Sequence, residues 1–343
     1  MKKENKQSLA VIFMATLCAL QISSVCAQSR TDSLKRGISR YTDRNFSELR
    51  TVNLHWEVMP SYNYTLKHSD RDFEKGKMET SRNVKFQTTI PVFRSGKFSL
   101  YANGNIDYYH FEVNPNDDKP SELFTEKEND RLYMKGGLAL NYYATLFGKP
   151  LLLSVSAGID GWEKGVEQFQ GGFMANLLLK QTHKNSVSVG LYAMYPYQIT
   201  PVVPIVIWTH RLNPNWILDF TLPSRMYVRY QRGKHRLSAG TQMETEQFYI
   251  QAPTKYMDAS QQEGTSTYYY NRSMFKAELV YECILNKRFY FIARGGGAGT
   301  ITGGLYDTDR KGIDNKPFVE ISHSVTPFFN VGFSIAYSDR III

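Results

Sequence analysis

Cysteine is scarce in this chain, which has only three among 343 residues. Cys18 and Cys26 lie near the N-terminus, so only Cys283 remains in the body of the chain. Because a single cysteine cannot form an internal disulfide, the sequence excludes a small secreted module that is held together by disulfides.

Long hydrophobic runs are missing beyond the N-terminus. Residues 1–7 are rich in lysine, the apolar run "LAVIFMATLCAL" follows over residues 9–20, and "VCA" ends at Ala27. This order predicts a secretory signal peptide over residues 1–27, which is cleaved before Gln28. A retained membrane anchor is the alternative, but the apolar run is shorter than the ~20 residues that a spanning helix needs.

A helical period is also missing after residue 50, and a two-residue alternation takes its place. In "TVNLHWEVMPSYNYTL", residues 51–66, apolar and aromatic side chains occupy the even positions from Val52 to Leu66. The pattern recurs in "NVKFQTTIPVF", "RLYMKGGLALNYYATL" and "MFKAELVYECIL". These stretches exceed the roughly 5–6 residues of an ordinary strand and match the ~9–11 of a tilted strand that crosses a bilayer. The mean hydropathy of −0.39 agrees, because such strands alternate lipid-facing and lumen-facing residues.

The connections between these segments differ in length. Long polar connections are expected at residues 67–81, 114–130, 251–267 and 301–316, and short ones at 94–97, 147–150, 181–185, 213–215, 286–288 and 326–329. Aromatic residues cluster at predicted strand ends, as at Tyr268 to Tyr270, which indicates girdles at the membrane interfaces. Short turns on one side and long loops on the other are typical of an outer-membrane barrel. The alternative, a soluble β-sandwich, has shorter strands and buries one face only.

The number of strands depends on one segment. Fifteen alternating segments are counted if residues 216–223 and 224–230 are separate strands, and fourteen if they form one bent strand. Single-chain bacterial barrels prefer even numbers. The sequence therefore predicts an all-β fold, an antiparallel up-and-down transmembrane β-barrel of about fourteen strands over residues 51–343, with twelve to sixteen open.

The chain resembles exported Gram-negative outer-membrane β-barrels of unassigned function. The signal peptide, the alternation from Val52 to Tyr337 and the segment "NPNWILDFTLPSRMYVRY" carry this resemblance. It implies an architecture and a location in the outer membrane, but no activity. The C-terminal "YSDRIII" departs from the aromatic ending that is common in such barrels, although Ile341 and Ile343 keep the outward phase.

The remaining expectations concern the N-terminal segment and the partners. Residues 28–50 lack clear alternation and are expected to be a periplasmic N-terminal segment or a short plug. The net charge of +9 suits anionic lipid and lipopolysaccharide better than nucleic acid as a partner. The barrel insertion machinery is a further expected partner, and the solute is unknown.

The inward faces of the later strands are predicted to be charged. They either line a pore that selects ions or form a network of paired charges that fills the lumen. The preferred function is a narrow channel, transporter or binding protein for a small solute or lipid. The alternatives are a structural or surface-interaction barrel with a closed lumen and, third, a lipid-modifying enzyme. The predicted lumen residues are Asp219, Arg225, Arg229, Arg236, Glu244, Arg272, Lys276, Glu278, Glu282, Arg294 and Glu320.

Catalytic and metal-binding signals are weak. His55 and Glu57 share a strand face with Ser61, but residues two apart on a strand are too distant for a reliable acid–base pair. The loop "DTDRKGIDN" has Asp307 and Asp309 at the first and third positions of a calcium loop, but Lys311 replaces a ligand. We therefore expect no enzyme activity, no metal and no cofactor.

Overall fold

The computed structural model describes residues 50–336, except residues 70, 117–119, 125–127, 198–199, 258–263, 287 and 314–315. The predicted signal peptide, residues 28–49 of the predicted N-terminal segment, and the C-terminal residues Tyr337 to Ile343 lie outside the described residues. No helix among the described residues is long and apolar enough to cross a membrane.

Sixteen antiparallel strands form one continuous sheet. A single 3₁₀ turn, Thr254–Tyr256, accompanies them in the described part of the chain. The strands are β1 Val52–Met59, β2 Tyr62–His68, β3 Arg71–Ser95, β4 Phe98–Pro115, β5 Glu128–Leu146, β6 Lys149–Trp162, β7 Gly165–Gln181, β8 Asn185–Tyr195, β9 Val202–Arg211, β10 Trp216–Leu222, β11 Arg225–Arg232, β12 His235–Pro253, β13 Thr265–Ile284, β14 Phe289–Tyr306, β15 Val319–His323 and β16 Thr326–Ile335.

The sheet closes into a ring of about fourteen positions. β1 and β2 follow one another along the same side of β3, and β15 and β16 likewise share one side of β14. β1 pairs with β16 and β2 with β15, which closes the ring. The predicted fold class, an antiparallel up-and-down transmembrane barrel of about fourteen strands, is confirmed. Of the two alternatives for residues 216–230, the structure has the two separate strands, because β10 and β11 pair as a hairpin from Trp216↔Tyr230 to Thr221↔Arg225.

The barrel has a turn side and a loop side. Connections of two to four residues join β3–β4, β5–β6, β7–β8, β9–β10, β11–β12 and β13–β14 on the turn side, where β1 begins and β16 ends. The longer connections, between β4 and β5, between β12 and β13 and between β14 and β15, begin and end on the loop side. Two predicted connections are wrong: residues 71–81 belong to β3, which extends far on the loop side, and residues 326–329 begin β16. Backbone pairing with neighbouring strands stabilises both.

The exterior of the barrel carries an apolar belt. Outward side chains alternate with inward ones along the strands, and toward the turn side most of the outward ones are large and apolar. Lipid chains are the environment in which such a surface is stable. Exposed members of this belt include Leu54, Trp56, Phe86, Leu138, Val155, Leu191, Val206, Leu237, Leu279 and Val331.

A line of bulges crosses four neighbouring strands near the seam of the ring. It passes through Pro60–Ser61 between β1 and β2, the register shift between Met78 and Ser81 in β3, residues 324–325 between β15 and β16, and Ile301 in β14. An extra residue in a strand exchanges the two faces of everything beyond it. The sixteen-residue alternation predicted on one face is therefore wrong beyond this bulge line.

The interior and exterior exchange character at the bulge line. On its turn side Leu54 and Trp56 point outward and are exposed. On its loop side Tyr62, Tyr64 and Leu66 are buried inside, whereas outward positions are polar. The loop-side end thus resembles a soluble protein, with an apolar core and a polar surface. We take this line as the limit of the lipid-facing region along these four strands.

An apolar cluster, rich in aromatic residues, fills the loop-side end of the interior. Phe248 of β12 stacks on Tyr270 of β13 at a ring-centroid distance of 4.2 Å and also meets Tyr109 of β4 at 5.3 Å. We call this group of buried side chains from β2–β6 and β12–β16 the aromatic cluster. The placement of Tyr268 to Tyr270 in an interfacial girdle is wrong, because all three are buried in this cluster.

Candidate functional site: the barrel lumen

Ion pairs close the turn-side end of one half of the lumen. Arg50 and Arg236 both bind Glu282, with N–O distances of 2.7 and 2.9 Å. Arg50 also lies over the Tyr290 ring at 3.7 Å and donates to the Ser334 hydroxyl. Arg50 therefore lies in the barrel interior, where its guanidinium is almost completely buried.

A second group of charges lies at mid-height. Lys276 of β13 is fully buried and binds Glu57 of β1 and Glu244 of β12, each at 2.7 Å. Glu244 also binds Lys85 of β3. Asn330 donates its amide to Glu57 at 3.2 Å. Two cations and two carboxylates thus neutralise each other, which offsets the cost of removing them from water.

Below the aromatic cluster, Arg272 and Glu246 form the next level. Their side chains are 3.3 Å apart, and Glu246 also accepts a hydrogen bond from Asn83 of β3 at 2.8 Å. Arg272 donates to Thr300 and lies 5.2 Å from the Tyr62 ring centroid. Because β12 and β3 are not neighbours in the ring, Glu246–Asn83 joins two strands that share no backbone hydrogen bonds.

Most of the residues predicted for the lumen lie inside the barrel. Ten of the eleven have buried or largely buried side chains, and most of them bind one another or a further charged residue. Arg229 binds Asp219 at 2.6 Å, Arg294 approaches Glu278 at 3.9 Å, and Tyr227 donates to Glu278. The ten are Asp219, Arg225, Arg229, Arg236, Glu244, Arg272, Lys276, Glu278, Glu282 and Arg294.

Glu320 is the exception, because its side chain is exposed on the outside of β15. Val319 and Ile321, on either side of it, are the buried residues of that strand. Glu320 was assigned to the lumen because the inward phase of residues 326–335 was assumed to continue without a break to residue 320. The break at residues 324–325 reverses that phase, so this assignment is wrong.

Asp160 organises a separate polar centre on β6. Its carboxylate accepts hydrogen bonds from Tyr133 at 2.6 Å, from Tyr249 at 2.8 Å and from Gln170. Arg310, in the loop between β14 and β15, reaches into the barrel and binds the same carboxylate at 2.5 Å. In that loop the Thr308 carbonyl and Asp309 both accept hydrogen bonds from Gln168 of β7, so the loop crosses the mouth of the barrel.

The opposite part of the lumen has a different character. On β6 to β9 most inward side chains are only half-buried, although Asp160, Gln170, Ser188 and Thr209 are buried, and the outward neighbours belong to the apolar belt. They combine apolar groups with amides and hydroxyls. We call this surface the open wall, and its members are Ser154, Met174, Asn176, Tyr192, Ile205 and Ile207.

Cations predominate beside the open wall. The inner faces of β5 to β9 carry Arg131, Lys135 and Arg211. Asp160, a carboxylate on these faces, binds Arg310. This part of the lumen therefore has a positive balance, which favours anions.

The residues named in the catalytic and calcium hypotheses make other contacts in the described part of the chain. His55 contacts Asn330 at 3.3 Å, and Glu57 is held by Lys276. Asp307 accepts the backbone N–H of Lys311, and its loop holds Arg310 in the lumen. In the described part of the chain, no three histidine, cysteine or acidic side chains form a group that could hold a metal ion.

Sequence reasoning missed several members of the lumen network. Lys85 and Glu246 share the inward phase of residues that were assigned to the lumen, and that phase could have found them. Asp160 also has a regular inward phase. Arg50 and Arg310 lie outside the alternating strands, and no periodic signal marks them.

The chain matches no protein-family model and no curated protein sequence. Solved structures to which it is similar include those of the following outer-membrane proteins. An outer membrane channel from Pseudomonas putida F1 has a TM-score of 0.36 and 5% identity, covering 83% of this chain and 96% of that one. The toluene transporter TodX from Pseudomonas putida has a TM-score of 0.31 and 10% identity, covering 91% and 95%. The protease OmpT from Escherichia coli has a TM-score of 0.26 and 8% identity, covering 83% and 96%. At these values the similarities carry no argument about the function of this chain.

Proposed function

We propose that this protein is an outer-membrane barrel that binds small organic anions and lets them pass along the open wall. The observation that supports this proposal is that the two halves of the lumen differ in how completely they are filled. Ion pairs and the aromatic cluster fill the half that is lined by β12–β16 and β1–β4. Most inward side chains of β6 to β9 are only half-buried. A narrow path therefore remains beside a rigid, neutralised network.

The proposed location follows from the surface. The apolar belt matches lipid chains, and the loops and extended strands on the loop side suit the cell exterior. The turn side then faces the periplasm, where residues 28–49 would precede Arg50. Lipid and lipopolysaccharide around the belt, the insertion machinery and a cleaved signal peptide belong to the same proposal.

The proposed selectivity for anions does not come from the paired arginines of the lumen network. Arg229 and Arg236 are neutralised by Asp219 and Glu282. Lys135 and Arg211 lie on the inner faces that adjoin the open wall. Reversal potentials across a planar bilayer with a salt gradient test this. Anion preference is expected, and cation preference would refute it.

Adjacent residues on β9 provide a matched test of the path. Ile205 points into the lumen, and Val206 points into the apolar belt. Ile205→Trp should reduce single-channel conductance at least about twofold, because it adds a large side chain to the narrow path. Val206→Trp should leave conductance unchanged. Equal conductance in the two variants would contradict a path along the open wall.

A closed scaffold is the second candidate function. The aromatic cluster favours it, because the cluster fills the loop-side end between β4–β6 and β12–β13. A folded protein that shows no channel events and does not bind solutes would support this candidate over the first. Comparing the lipids of membranes with and without the protein tests the third possibility, an enzyme.

A further inference from the structure

The wall of the barrel is much lower on one side. β8 to β11 have only 7 to 11 residues each, whereas β12, β13 and β14 have 18 to 20. The pairing of β11 with β12 ends at Arg225↔Gln242, and β12 continues to Pro253. The pairing of β8 with β7 ends at Tyr195↔Gly171, and β7 continues to Gly165. We call β8 to β11 the short wall. Toward the loop side of these last pairs, β7 and β12 have no strand of the short wall beside them.

The extended part of β12 turns inward instead of continuing the circle. The backbone N–H of Gln247, on this extension, donates to the Tyr109 hydroxyl of β4 at 3.4 Å. Tyr249 meets Tyr133 of β5 and Trp162 of β6 at ring-centroid distances of 6.3 Å. The loop-side end therefore closes between β12 and β4–β6, and none of these contacts comes from β8 to β11.

The open wall consequently ends at a low rim, which we define as the loop-side ends of β8 to β11. The outward side chains there are exposed and apolar or aromatic: Tyr195, Val202 and Leu222. Tyrosine with an apolar body and a polar tip is stable at the level of lipid headgroups. The rim thus lies where the apolar belt meets the membrane surface. Polar groups of lipids and other amphiphiles lie at this level.

The inner side of the rim carries both a cation and apolar side chains. Arg225 is the first inward residue of β11 and lies at the rim. Tyr192 and Met194 of β8 and Ile205 of β9 line another part of the same inner side. A cation and apolar surface at one rim complement an anionic head with a hydrocarbon tail.

We infer that this rim is a side opening through which single-chain amphipathic anions pass from the outer surface of the membrane to the open wall. This inference rests on the proposed function, because it names the substrate class and the route for the same wall. Hydrophilic solutes that approach over the aromatic cluster meet a closed surface, whereas an amphiphile is concentrated by the membrane at the level of the rim.

The test uses decanoate as the probe and a reporter that does not require ion conduction. A polarity-sensitive fluorophore is attached to Tyr192→Cys in a Cys283→Ser background, with the protein in lipid nanodiscs. The Cys283→Ser protein without the Tyr192→Cys substitution is the control, and it measures how much fluorophore attaches elsewhere. Decanoate should change the fluorescence at concentrations at least about tenfold below those needed for acetate or for decyltrimethylammonium. A response to all three at equal concentrations, or to none, would overturn the inference.

Two matched serine substitutions test the route. Ser224 lies in the exposed β10–β11 turn at the rim, and Ser322 is exposed on β15, on the closed side. Ser224→Glu should raise the half-saturating decanoate concentration about threefold or more, because it places a carboxylate at the opening. Ser322→Glu should leave it unchanged. Equal effects of the two substitutions would contradict a side opening.

The two proposals can fail separately. A decanoate response without channel events contradicts passage through the lumen and retains the side opening. Channel events that depend on Ile205, without a decanoate response, retain the proposed function and remove the side opening. Heat-modifiable migration on gels confirms that each variant is folded.

Discussion

The ammonium of Lys276 lies 2.7 Å from one carboxylate oxygen of Glu57 and 2.8 Å from the other, and both side chains are excluded from solvent. The two residues are 219 positions apart in the sequence. In the sheet, β14 and β16 separate their strands, so the pair ties together strands that share no backbone hydrogen bonds. Attraction between buried charges offsets their desolvation only when both partners are present.

Removal of Lys276 should therefore be costly. We expect Lys276→Met to lower the free energy of unfolding by about 3–5 kcal/mol, because Glu57 loses its cation and Glu244 loses one of two. Urea unfolding of the protein in lipid vesicles measures this. Ala277→Met, the adjacent outward position, is the control and should change stability by less than about 1 kcal/mol.

A double-mutant cycle isolates the pair from the rest of the network. Lys276→Met combined with Glu57→Gln should lose clearly less than the sum of the two single losses, with a coupling energy in the range of about 0.5–3 kcal/mol. Additive losses would mean that the two charges do not stabilise each other. Because Glu244 keeps its contact with Lys85, the double variant retains a neutralised partner group.

The contact of Arg310 with Asp160 should hold its loop across the mouth of the barrel. Asp160→Asn keeps an acceptor for Tyr133 and Tyr249 but removes the charge that binds Arg310. A hydrogen bond to a charged group contributes about 1.5–3 kcal/mol, so loop opening should increase about tenfold or more. The rate of trypsin cleavage at Arg310 or Lys311 of the folded protein measures this opening.

Asp309→Asn provides the comparison for this experiment. Asp309 is exposed and accepts one hydrogen bond from Gln168, and the asparagine can still accept it. Cleavage should change by less than about twofold. If both variants are cleaved like the original protein, the buried ion pair does not hold the loop.

The alternation of residues was sufficient to predict the barrel, because strand period and lipid exposure both depend on local sequence. The phase of each face could be read wherever strands continue without a bulge, as for Lys276 and Glu282 on β13. It failed at Glu320 and beyond Pro60, where one extra residue exchanges the faces. Proline and polar residues at such bulges are common in strands and turns alike, so sequence alone did not distinguish them.

The partners in the lumen were less predictable than the faces. Glu246 and Asn83 meet only because β12 turns inward against β3, and this turn depends on aromatic packing between distant segments. Arg310 comes from a loop without any period. The height of the short wall could have been estimated from the close spacing of the turns around β10 and β11.

The bulge line predicts a specific pattern of accessibility. In a Cys283→Ser background, Glu320→Cys should react rapidly with a water-soluble maleimide, because residue 320 faces water above the apolar belt. Ile321→Cys should react at least about a hundredfold more slowly, since Ile321 is buried in the aromatic cluster. Reversed rates would place the phase change elsewhere in the strand. Thiol labelling followed by mass spectrometry measures both rates.

A pH-dependent contact joins two loops outside the membrane. Glu122, between β4 and β5, accepts hydrogen bonds from Lys255 at 2.6 Å and from Tyr256 at 2.7 Å. The hydrogen bond from Lys255, and next that from Tyr256, lower the pKa of Glu122 below its usual value. A carboxylate with a lowered pKa stabilises the folded contact above its usual pKa of ~4.3, and this stabilisation is lost as the pH falls through the lowered pKa.

Acidification should therefore release these loops before the barrel unfolds. Amide hydrogen exchange of residues 121–124 and 254–257, corrected for its intrinsic pH dependence, should accelerate below about pH 4 and stay constant from pH 5 to 7. In Glu122→Gln the acceleration should disappear, because glutamine does not titrate in this range. If amide exchange below about pH 4 accelerates equally in the original protein and in Glu122→Gln, carboxylates other than Glu122 cause the loop opening. Because Glu122 is half-exposed, the change is confined to the loops, and the buried ion pairs of the lumen keep the strands in place.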